Sequence, residues 1–79
     1  MFDPIEPFDE KETLRVFHVE LMPIFSKHGS EIGERAMRGD CLAEQIIRRY
    51  HIFASWLDPY NLKLLMRVTK QWLEKRKLQ

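Results

Sequence analysis

A chain of 79 residues, 44% hydrophobic and 32% charged, is too apolar for a disordered tail and too short for two cores, since a domain of this size buries only about 60 to 65% of its unfolded surface. A net charge of +1 excludes an acidic mimic of nucleic acid and a uniformly basic nucleic-acid binder. One cysteine, Cys41, excludes an internal disulfide and favours a reducing compartment.

The opening "MFDPIEPFDEKE" is acidic and broken by prolines, the opposite of a secretory signal. No apolar run approaches the roughly 20 residues of a membrane span, so the chain reads as a cytoplasmic protein without a membrane partner. Residues 1–8 are expected to be extended, because a residue before proline is pushed out of the α region; Phe2, Ile5 and Phe8 would then lie along a helical body or a partner. The whole chain, residues 1–79, reads as a single all-α domain: a small bundle of three main helices, a short connector helix and this extended N-terminal segment.

Asp9, with Glu12 three residues on, has the pattern of a capping box and starts a first helix near Glu10. Leu14, Phe17, Leu21, Ile24, Phe25 and His28 then fall on one side at helical spacing. Pro23 interrupts that stripe, removes a backbone donor and predicts a kink near Glu20 or two shorter helices. Gly29 supplies a stop and Ser30 a new cap, which leaves a connector helix from about Glu31 to Arg38. Gly39 ends the connector and Asp40 caps the next helix, whose stripe is Leu42, Ile46, Tyr50, Phe53 and Leu57, flanked by Ala43, Ile47 and Ala54. The letters Arg38-Gly39-Asp40 therefore read as a hinge between helices, not as an adhesion motif. In "LDPYN", Asp58 caps the last helix and Pro59 occupies its first position, where a missing donor does no harm. That helix runs toward Lys77 and pairs with its predecessor as an antiparallel hairpin.

No constellation for catalysis emerges. His18, His28 and His51 lack the i, i+4 spacing of a zinc-binding helix, and one cysteine cannot build a zinc ribbon. His28 fits a helix terminus, where an imidazolium suits the dipole. Cys41 opens a helix, a place that lowers a thiol pKa, but no histidine can be placed beside it from sequence. The three glycines match no phosphate loop. The chain is expected not to be an enzyme and to need no metal, cofactor or small-molecule substrate.

Two binding readings remain. The last helix carries more apolar surface than one core stripe needs: beside Leu62, Leu65, Met66, Thr69 and Leu73, it has Leu64, Val68 and Trp72 on an adjoining face. That surplus predicts docking on a protein partner, or on a second copy, through Leu64, Val68 and Trp72, as an adaptor, regulatory subunit or inhibitor of a larger assembly carried by a mobile element. The bland alternative is that residues 1–8 or a bent first helix cover this face. The second reading is nucleic-acid binding. Residues 61–79 carry Lys63, Arg67, Lys70, Lys75, Arg76 and Lys77 against Glu74, a net +5, while residues 1–12 carry a net −4. "GSEIGERAMRGDCLAEQIIRRYHIF" has the outline of a helix-turn-helix showing Arg48 and Arg49, to which Lys63, Arg67 and Lys70 would add a basic stripe. Asp40 and Glu44 weaken it, because they place negative charge at the end that would enter a groove.

Overall fold

The computed structural model describes residues 9–77, which form four helices and, among the described residues, no strand: α1 (Glu10–Glu20), α2 (Met22–Met37), α3 (Cys41–Trp56) and α4 (Pro59–Lys77). The expected extended segment, residues 1–8, lies outside the described residues. No helix among the described residues is long and apolar enough to cross a membrane.

Three aspartates open three of the helices. Asp9 accepts from the backbone N–H groups of Lys11 and Glu12, Asp40 from those of Leu42 and Ala43, and Asp58 from that of Asn61, each filling donors that a first turn leaves empty. The box expected at Asp9 is only half made, because the Glu12 carboxylate turns to the Arg15 guanidinium instead. Gly39, at φ 93°, takes the left-handed conformation that ends a helix most cheaply in glycine, so Gly39 and Asp40 are the expected hinge. Leu57 closes α3 in the same conformation, at φ 54°, without glycine.

The break at Pro23 falls at Leu21, whose backbone stays in the right-handed region and keeps helical bonds on both sides: its N–H donates to the Phe17 carbonyl at 2.8 Å, and Phe25 N–H donates to its carbonyl at 2.9 Å. Pro23 stands in the first turn of α2, where its missing donor is tolerated. α1 and α2 are thus one bent rod.

The connector helix is not formed. α2 runs through Gly29 and Ser30 without a stop and spans 16 residues. An interior glycine costs a helix only about 1 kcal/mol, and the packing of Ile32 and its neighbours against α3 outweighs that.

The chain direction follows from the contacts. Phe17 stacks on Phe53 at 5.2 Å and Phe25 meets Tyr50 at 5.9 Å, so α3 runs antiparallel to the bent rod. His28 meets Trp72 and Glu31 meets Arg76, so α4 runs parallel to α2. The core between the rods is Phe17, Leu21, Ile32, Ala43, Ile46, Phe53, Leu62, Leu65, Val68 and Trp72. Thr13 and Thr69 are buried with it; each hydroxyl donates to the carbonyl four residues back, Thr13 to Asp9 at 3.1 Å and Thr69 to Leu65 at 2.7 Å.

Candidate functional site

The face of α4 expected to dock a partner is largely closed. Trp72 is 2% exposed and Val68 is buried, while Leu64 is half-buried. The cover is α2. The His28 ring meets Trp72 edge-on at 5.7 Å, and the Arg76 guanidinium lies 6.0 Å from the indole centroid. Glu31 holds Arg76 at 2.8 Å and Arg35 at 3.0 Å. The hydrogen bond from Arg76, with the charges of both arginines, holds the Glu31 carboxyl below its ordinary value of 4.5 against the opposing effect of burial. His28, which continues the apolar stripe of the bent rod, seats on Trp72, and Val68 and Trp72 are part of the core. His28 is accordingly a mid-helix residue packed on tryptophan and not a terminal one.

The basic candidates divide into separate sets. Lys63, Arg67 and Lys70, at i, i+4 and i+7, line one exposed strip of α4 together with Met66, Gln71 and Glu74. Arg48 borders a different depression, formed by Ala36, Glu44, Ile47, His51 and Ile52. Arg49 is half-buried on the next face of α3. The arginine pair and the α4 cations therefore do not form a single stripe. Cys41 is exposed in the first turn of α3, and among the described residues no three metal-binding side chains converge.

A feature that sequence reasoning missed is a groove between α2 and α3. It encloses about 330 Å³ and is lined by Met22, Phe25, Gly29, Ile32, Gly33, Ile46, Ile47 and Tyr50, without a single charged group. Helical spacing explains the shape. Phe25 and Ile32 face the core, whereas Met22, Gly29 and Gly33 follow one another along the shoulder of α2 that borders α3. Two of these three have no side chain, so the wall drops to backbone between Met22 and Tyr50. A Cβ added at Gly29 or at Gly33 would meet no atom within 4 Å. Neither glycine is there to let α2 approach another part of the fold.

The charge-free shoulder extends beyond the groove. Val19, Met22, Ser26, Gly29, Ser30, Gly33 and Met37 follow one another along one side of the bent rod, at three- and four-residue steps except where Gly29 and Ser30 are adjacent. Met37 is 90% exposed, the most exposed large apolar side chain described. The other strongly exposed aromatics, Trp56 and Tyr60, flank the turn between α3 and α4 and line no part of the groove. The sequence signal was the pair Gly29 and Gly33 four residues apart, which reads equally well as helix-stopping punctuation. Comparison with protein families, with characterised proteins and with solved structures finds no match.

Proposed function

We propose that this chain is a protein-interaction module, an adaptor or regulatory subunit, whose docking surface is the apolar groove between α2 and α3. The observation that carries the reading is a groove floored by two interior glycines that the fold does not need. Each costs helix stability of about 1 kcal/mol relative to alanine. A cost kept at two positions one turn apart, beside exposed Met22 and Tyr50, fits a surface shaped for another protein. Methionine suits such a surface because its thioether adapts to different partners, and tyrosine is enriched where proteins bind tightly. Val68 and Trp72 serve this module as its internal support.

The test is site-specific photocrosslinking in the native host. A benzophenone side chain at Ser26 is expected to yield a discrete crosslinked protein, and one at Lys63 to yield none. Equal capture from both positions, or none from Ser26, would remove the groove as the docking surface.

A second reading is favoured by the exposed line of Lys63, Arg67 and Lys70 on α4, which matches a phosphate backbone or an acidic protein. Binding to nucleic acid through these three contacts would weaken steeply as salt rises, because each phosphate contact releases a counterion. Salt-independent binding, or none at low salt, disposes of it.

A further inference from the structure

We infer that the occupant of the α2–α3 groove is the same groove on a second copy of this chain, with the two α2 helices crossing antiparallel about a two-fold axis between Gly29 and Ser30. The inference rests on the docking reading above and adds the identity and register of the partner.

The first ground is the order of residues on the shoulder. Counted outward from the midpoint of Gly29 and Ser30, Gly29 is matched by Ser30, Ser26 by Gly33, and Met22 by Met37. An antiparallel pair with its axis at that midpoint sets small residues against small residues from Ser26 to Gly33, about two turns. It brings Met37 of one copy against Met22, a wall of the other's groove. That contact accounts for a methionine that is 90% exposed in the isolated chain. A two-fold interface requires one patch complementary to itself, and the order of residues along this shoulder is symmetric about the axis.

The second ground is charge, and it is independent of the first. Glu20, Lys27, Glu34 and Arg38 are all exposed and lie on the next face of the same rod. None is in an ion pair among the described residues. Reversal about the same axis sets Glu20 opposite Arg38 of the second copy within one residue, and Lys27 opposite Glu34 within two. At a rise of 1.5 Å per residue these offsets are about 1.5 and 3 Å, well inside the reach of the side chains. The sign order, minus, plus, minus, plus, is complementary only when the helices are antiparallel. In a parallel pair related by a two-fold axis the charged faces of the two copies would lie on opposite sides of the contact and would not meet. Exposed pairs add little affinity but select orientation.

Sedimentation equilibrium of the full chain across a wide range of concentration is the test. A species of twice the 9.6 kDa chain mass is expected, and it should be lost in Gly29→Leu, whose side chain enters open space in the monomer and the partner helix in the dimer. Retained helical circular dichroism separates that loss from unfolding. Lys27→Glu should weaken the dimer by roughly fivefold, and adding Glu34→Lys should restore it. In a Cys41→Ser background, Ser30→Cys should crosslink to itself under mild oxidation. Met22→Cys should crosslink not to itself but to Met37→Cys.

A chain that stays monomeric at every concentration overturns the inference, as does a dimer indifferent to Gly29→Leu or a Met22→Cys self-crosslink. The photocrosslink from Ser26 keeps the two levels apart. A foreign protein captured there by a monomeric chain overturns self-association and leaves the docking reading standing. No capture and no dimer ends both.

Discussion

Alanine at either groove glycine should make the protein more stable. Gly29 and Gly33 both lie inside α2 with ordinary helical backbone, and a methyl group at each has room. Gly29→Ala and Gly33→Ala are therefore each expected to raise stability by about 0.5 to 1 kcal/mol in urea denaturation at a concentration low enough to hold the chain monomeric. A loss instead would mean that the glycines serve the fold. Gly39 is the contrast, since its φ of 93° is one that an alanine tolerates poorly. Leu57 takes a similar conformation with a side chain attached, and its half-buried packing against the core offsets the backbone cost.

At the scale of the helix, the decisive replacement is on α4. Trp72→Ala removes a buried side chain that packs on His28 of α2 and under Arg76 of its own helix, and such a deletion costs about 3 to 5 kcal/mol. That is most of what a domain of this size possesses, so the variant should be largely unfolded at 37 °C by circular dichroism. Leu64→Ala, half-buried, should cost no more than about 1.5 kcal/mol and melt as a folded protein. These opposed outcomes follow from which residues α2 covers, and that is where the sequence was hardest to read. Asp9, Asp40 and Asp58 announce their helices locally, because a cap is an interaction within one turn. The apolar stripes of α3 and α4 were legible for the same reason. Gly29-Ser30 carried the local sign of a stop, yet a cost of about 1 kcal/mol is small against packing along a whole helix. The groove was illegible because it belongs to no single element; Gly29 and Tyr50 become neighbours only once α2 and α3 have paired.

For the molecule as a whole, the rods give a body of about 50 × 24 × 22 Å with a radius of gyration of 14.1 Å, against about 11.6 Å for a compact domain of this length. An elongated bundle has more surface to cover and fewer side chains at its centre, and a second copy along one side would repair that ratio. The ends are held by carboxylates. Glu31 ties α2 to Arg76 near the end of α4. Burial pushes the Asp58 carboxyl up, but the hydrogen bonds from the Asn61 side chain and from backbone N–H groups outweigh it, and the net shift is below 3.8. Both groups ionise more readily folded than unfolded, so their stabilisation is complete above the ordinary values of 4.5 and 3.8 and fades as pH falls through the lower folded values. The denaturation midpoint should therefore decline below about pH 4.5, and Glu31→Gln should flatten that decline while lowering the plateau at neutral pH.

The bend at Leu21 also divides the molecule in time. Because Pro23 cannot donate, the Val19 carbonyl lacks the bond that would lock α1 to α2 at that point, and α1 buries only Thr13 and Phe17. Such a helix can open on its own while the remaining three keep their shared core. Amide protons of α1 around Val16 should exchange with solvent well before those of Ile46 and Phe53. Each opening would uncover Phe53 and lift Phe17 off Phe25 and Tyr50, which line the groove, so the motion of α1 reaches the docking surface.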